Sequence, residues 1–414
     1  MRRLSRLAAL AALVVVTLLA PAAANAAGDD LVRSKEYWLD DYGIRSAWGT
    51  TRGAGVTIAV IDTGIASGVR DLAGAVVGGA DFSGAGTSDG QTPVGSEGAE
   101  HGTMVASLAA GRGTGGSSGV IGSAPEASLL AISIGFGGDS DDSDEQIADA
   151  VRWATDNGAD VINMSLTRNT LDWPESWDDA FLYAMQHDVV IVAAAGNRGS
   201  GTVEVGAPAT MPGVLTVSGV DRNGGASFDA SSQGITIGVA APSEELVGVV
   251  PGGGYVTWSG TSGASPIVAG IVALVRAAHP ELDAANVINR VVSTARDVGD
   301  AGADYTYGYG LVDAAAAVTA DVAPVSENPV GDLQEWIRVN RRADTTSAPG
   351  IIVPPIAVPQ VVEGPANPIG TLLPSVTTLQ LVGIPTLVVL LMLAVLTGLA
   401  VAAIREFGGR RRTR

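Results

Sequence analysis

Short apolar runs that alternate with helix-spaced segments constrain this chain more than any other feature. Residues 56–61, 128–134, 160–164 and 189–195 are apolar runs of strand length, whereas 145–157 and 177–187 place apolar side chains about every 3.6 residues. This alternation implies an α/β fold with a mainly parallel sheet and helices on both faces. In such sheets reactive groups gather on the loops that leave the carboxyl ends of the strands, so chemistry is sought there.

The two ends decide how much of the 414 residues can belong to that fold. Residues 1–26 combine Arg2, Arg3 and Arg6 with an apolar run over 7–20 and the small-residue end Ala24-Asn25-Ala26, which predicts a signal peptide cut after Ala26. Residues 381–404 hold 24 consecutive positions without a charge. As a helix they are about 36 Å long, enough for a hydrocarbon layer of about 30 Å. Arg405, Arg410, Arg411, Arg412 and Arg414 follow directly. Positive charge beside a span marks its cytoplasmic end, so a single-pass protein of the cell membrane is expected, with residues 27 to about 380 outside and a basic tail, 405–414, inside. Nine prolines between 321 and 380 predict an extended linker, with room for one short helix at 333–340. A short N-terminal extension, 27–51, and a folded domain, 52–320, remain.

The formal net charge is −19, but eight of the 24 basic residues lie in the two ends. Residues 27–404 carry 16 basic against 42 acidic side chains, a net −26. Nucleic acid is therefore excluded as an expected partner, because phosphate binding needs clustered Lys and Arg. The chain has no cysteine, so an exported domain must take its stability from its core.

Four short motifs fall where chemistry is expected. Asp62-Thr63-Gly64 closes the first apolar run, which puts a carboxylate at a strand's carboxyl end. A turn aspartate reads the same way, and aspartic peptidases carry the same tripeptide. His101-Gly102-Thr103 opens an apolar helical stretch, and only two other histidines exist, His187 and His279. Ser262 lies in Gly260-Thr261-Ser262-Gly263, at the start of an apolar helix, where a serine can also be a simple cap. Asn197 follows the run 189–195 in Ala194-Ala195-Gly196-Asn197 and offers an amide that could donate to an oxyanion.

Asp, His and Ser in this order, 39 and 161 residues apart with the amide between His and Ser, resemble the subtilisin-like serine protease family. The resemblance runs from about Tyr37 to Val318 and includes Ala124-Pro125, the stretch from Val161 to Ser165, and Tyr307-Gly308-Tyr309-Gly310. It implies a peptidase acting on protein or peptide substrates with Ser262 as nucleophile, His101 as base and then acid, Asp62 as the group that orients His101, and Asn197 as an oxyanion donor. No step of that chemistry calls for a metal or another cofactor. The resemblance also implies that the backbone around Ser165, Leu166 and Thr167 forms one wall of the pocket for the residue before the cut, with Arg198 near its floor and Asp144 bordering pockets upstream.

Three departures accompany the resemblance. Gly263 stands where many relatives have methionine, and Thr167 and Arg168 stand where glycines are common. Five acids lie within 139–145, which reads as a solvated helix cap, a calcium loop, or a selector of basic substrate side chains. A short N-terminal extension, a peptidase domain, a proline-rich linker and one span with a basic tail are similar to the mycosins, membrane-bound relatives that serve type VII secretion. Secretion-complex components then become expected partners, and the competing expectation is a catalytically inactive subunit with a structural role.

Overall fold

The computed structural model describes residues 31–341 apart from 97, 116–117 and 137–142. The expected signal peptide, most of the linker, the span and the basic tail lie outside the described residues. Among the described residues one helix, Thr261–Ala278, is long and apolar enough to cross a membrane; 83% of it is buried inside the protein, so it is a core helix.

Seven strands form one parallel sheet: β1 (Thr57–Asp62), β2 (Val76–Asp81), β3 (Ser128–Ser133), β4 (Val161–Met164), β5 (Val190–Ala194), β6 (Leu215–Val220) and β7 (Ile237–Pro242). Their spatial order is β2-β3-β1-β4-β5-β6-β7, so the chain crosses from β1 to the edge at β2, returns through β3 beside β1, and then builds outward on the other side from β4 to β7. A strand buried on both faces reads as a continuous apolar run, because successive side chains point to opposite sides. Ile58 and Val60 of β1 enter one core cluster, while Ala59 and Ile61 enter the other. Helices α1 (Trp38–Asp41), α2 (Ile44–Ala47), α3 (His101–Ala110), α6 (Thr261–Ala278), α7 (Ala284–Ser293) and α8 (Ala314–Thr319) contribute to the first cluster; α4 (Ser143–Asp156) and α5 (Glu175–Gln186) fill the second. An antiparallel hairpin of β8 (Leu246–Val249) and β9 (Tyr255–Trp258) leads into α6.

The N-terminal segment is tied down by a buried carboxylate. Glu36 is 1% exposed; it accepts a hydrogen bond from the Ile121 N–H at 2.7 Å and pairs with Arg33 at 3.4 Å. Burial pushes its carboxyl up to about 8, against the pull of the Ile121 N–H, Arg33 and Arg45, with nearby Asp71 adding to the rise. A carboxyl held above its unfolded value near 4.3 contributes most below that value, and the contribution is lost as pH rises toward the folded pKa. Glu36→Gln has no charge to bury. Thermal melts should give similar Tm values near pH 4 and a variant more stable by roughly 5–10 °C near pH 9.

The folded chain continues past residue 320, beyond the boundary expected from composition. Asn286 and Asn289 of α7 donate to the carbonyls of Val325 and Ala323 at 3.1 and 3.0 Å, and Asn328 donates to Gly213 O at 3.1 Å. The asparagines of α7 satisfy a proline-interrupted backbone that has no ladder of its own, and Asn328 ties it to residue 213. Helix α9 (Leu333–Asn340) then buries Leu333 and sets Trp336 against Trp173 with ring centroids 4.4 Å apart. Arg341 donates to Asp178 Oδ2 at 2.7 Å and to Trp173 O at 3.0 Å. A chain ending at 320 loses these contacts and leaves the buried Asp178 without its cation. Its Tm should fall by about 10 °C or more relative to one ending at 341.

Candidate active site

Each expected motif is fixed by bonds to another. Asp62 ends β1 fully buried, and its Oδ1 accepts from the Thr63 N–H at 2.7 Å. Both carboxylate oxygens lie within reach of His101 Nδ1, at 2.8 and 2.9 Å. Thr63 reaches the start of α3 as well: its hydroxyl donates to Ala99 O and accepts from the Gly102 N–H, each at 2.9 Å. Gly102 has to be glycine, since a Cβ there would meet Gly64 O at 2.3 Å. The two tripeptides are thus one clamp, which aims the imidazole at the end of β1.

Burial alone would lower the His101 pKa. The charge and hydrogen bond of Asp62, helped by Glu100, more than offset it, so the ring holds its proton above the ordinary histidine value.

Ser262 is the second residue of α6, half-buried, with its hydroxyl donating to Ser165 O at 3.2 Å. The helix carries Pro266, whose missing N–H leaves the Ser262 carbonyl without its i+4 donor. Ser165 Oγ fills that vacancy at 2.9 Å and is itself held by Asn163 Nδ2 at 3.0 Å. Asn163 Oδ1 in turn accepts from Ser265 at 2.7 Å. These bonds dock α6 on the carboxyl end of β4.

Asn197 follows β5, and its Oδ1 accepts from the Thr261 N–H at 2.8 Å and the Thr261 hydroxyl at 3.0 Å. Two donors on one atom fix which end of the amide is oxygen, leaving Nδ2 as a donor beside the start of α6. Gly260, at φ +147°, admits this approach; a Cβ there would lie 3.2 Å from Asn197 Nδ2.

The expected substrate-wall residues divide. Ser165 and Thr167 stay on the loop that leaves β4 next to Ser262. Leu166 is buried in the second core cluster with Met164, which leaves its backbone for the expected wall. Asp144 is engaged by Arg168 in an ion pair, and its carbonyl accepts from Trp177 Nε1 at 2.8 Å. Arg198 lies over the ring of Phe228 at 4.8 Å. Residues 139–142 of the acidic run are outside the described residues.

Two features escaped the sequence reading. Trp258 stands edge-on to the His101 ring, with centroids 5.9 Å apart. It belongs to the half-exposed strand β9, which has no periodicity to announce it. Leu246 and Trp258 also explain Gly263, because a Cβ there would meet Leu246 Cδ1 at 2.3 Å.

A carboxylate–imidazole pair, a serine at a helix start and a fixed amide donor thus share the carboxyl ends of β1, β4 and β5. Comparison with known proteins identifies the family. The subtilase family model, Peptidase S8, matches residues 53–310. Subtilisin DY of Bacillus licheniformis is 39% identical over 271 residues, which cover 64% of this chain and 92% of that protein. The structure of the MycP3 protease from the type VII (ESX-3) secretion system is 34% identical and superposes with a TM-score of 0.59 over 69% of this chain and 88% of its own. MycP1 from the ESX-1 type VII system gives 31% identity and a TM-score of 0.60, over 71% and 88%. Fold, motif order and relatives converge, and the chain belongs to the subtilase family as a subtilisin-like serine endopeptidase.

Proposed function

We propose that Asp62, His101 and Ser262 form the catalytic triad, with Asn197 Nδ2 and the Ser262 N–H as the oxyanion hole. The observation that carries this is the two-oxygen contact of Asp62 with His101 Nδ1 at 2.8 and 2.9 Å. It favours the tautomer with the proton on Nδ1, which leaves Nε2 as the base. The Ser262 hydroxyl, now resting on Ser165 O, rotates to give its proton to Nε2 as it attacks the scissile carbonyl. His101 then protonates the leaving amine, and water repeats the sequence to release the acyl group. The Ser262 N–H lies in the first turn of α6, where no helical acceptor exists, so it is free for the oxyanion.

Residues 381–404 anchor this peptidase in the cell membrane, with the catalytic domain outside and residues 405–414 in the cytoplasm. The similarity to MycP3 and MycP1, together with the anchor and tail, supports service in a type VII secretion system. A fluorophosphonate probe tests the catalytic assignment, because it phosphonylates only an activated serine. An adduct mapped to Ser262 is the expected result; an unlabelled, folded protein would favour an inactive structural subunit.

A further inference from the structure

The loops that leave β4 and β5 carry Ser165 and Asn197. Near the site they are tied, by the Thr202 hydroxyl on Asn169 Oδ1 and the Arg168 N–H on Ala207 O at 2.7 Å. Beyond the ties they open into a groove of about 670 Å³, with an adjoining hollow of about 300 Å³ that shares Leu171, Val203, Glu204 and Val205. Its rim is apolar and solvent-facing: Ile235 is 82% exposed, Val203 65%, Tyr305 65% and Leu171 58%. Large apolar side chains gathered at the surface mark a binding site.

Ser165, Asn197 and Ser262 are not among the residues that line it, so it is not the pocket for the residue at the cut. It is nevertheless lined by the same two loops that carry Ser165 and Asn197: Leu171 lies on the first, and Arg198, the residue after Asn197, on the second. Arg198 and Glu204 line it with opposite charges, which gives no net field to steer a charged ligand. A membrane-inserting surface would need flanking Lys and Arg, and Arg198 is the one basic residue lining it.

We propose that the groove is an exosite that takes an extended apolar stretch of the same polypeptide that is cut at Ser262. The proposal rests on the active-site assignment above and adds a second contact to it. Because the exosite does not touch the reacting atoms, its binding energy lowers KM and leaves kcat unchanged.

The test uses the full chain in lipid nanodiscs and a fluorogenic peptide that it cleaves. The peptide is assayed alone and joined through a Gly-Ser spacer, on either side, to Leu-Val-Ile-Phe-Val. One extended form should have a KM lower by roughly tenfold at equal kcat. Val203→Ser with Ile235→Ser, both at exposed positions, should erase that advantage and leave the short peptide's constants within about twofold. No advantage on either side, or an advantage that survives both substitutions, would overturn the exosite. So would a wild-type dimer, or binding to phosphatidylcholine vesicles, that the substitutions abolish.

Anisotropy of labelled Leu-Val-Ile-Phe-Val on the Ser262→Ala chain reads the groove without chemistry. Saturable binding that the two substitutions remove supports the exosite even if no peptide is cut, a result that would sink the protease assignment alone. Absence of binding, with the short peptide still cleaved by the parent chain, sinks the exosite and leaves the protease assignment standing.

Discussion

Ser262→Ala is expected to lower kcat by about a millionfold, the size of the effect in subtilisin, and to leave the fold as it is. The hydroxyl makes one hydrogen bond, at 3.2 Å to Ser165 O, from a half-buried position. Losing it costs about 1 kcal/mol at most, because the Ser262 carbonyl keeps its bond from Ser165 Oγ. Thermal melting should therefore be near that of the parent while single-turnover peptide cleavage disappears. Cleavage at the parental rate would remove Ser262 as nucleophile. Weak turnover in the range of 10³–10⁴ over water would be the share of oxyanion hole and binding.

Asp62→Asn should lower kcat by roughly 10⁴-fold, for a reason visible in the bonds around it. The carboxylate offers an acceptor to His101 Nδ1 on both oxygens, and one of them also serves the Thr63 N–H. An amide puts a donor in place of one oxygen. His101 Nδ1 can then act as acceptor, which moves the ring proton to Nε2, the atom that must receive the serine proton. The pH dependence shifts as well. His101 works as a base only when neutral, so parental kcat/KM rises with pH through a pKa above the ordinary histidine value. Without the Asp62 charge, burial is opposed only by Glu100, and the acidic limb should move to lower pH. An acidic limb that stays in place would show that Asp62 does not set the proton affinity of His101.

What the sequence made legible was local. The run 189–195 appears as β5, Val190–Ala194, because every side chain in it is buried on one face or the other. Helix α9 begins and ends where the sequence reading put it, at Leu333 and Asn340, since Asp332 caps the Glu335 N–H at 3.0 Å. The motif residues could be read because each carries a chemical type that the reaction demands. Strand β2 was not legible: Gly78 and Gly79 depress strand propensity, yet a Cβ on Gly79 would meet Asp89 O at 2.1 Å and Ala131 O at 2.3 Å. The packing of 321–341 was hidden for another reason. Prolines suggest a spacer, and the asparagines that hold this segment lie some forty residues upstream, at 286 and 289. The Arg168–Asp144 pair and the Trp258–His101 contact likewise depend on separations that no local pattern encodes.

Pro266 and Ser165 are energetically coupled through the Ser262 carbonyl. Proline removes an N–H from the helix that carries Ser262, and the hydroxyl at 165 is the donor that the orphaned carbonyl receives. Restoring an amide at 266 would make that hydroxyl redundant; losing the hydroxyl first would strand the carbonyl beside the reacting serine. Loss of the hydroxyl at 165 should therefore cost less stability in a chain with an amide at 266 than in this one.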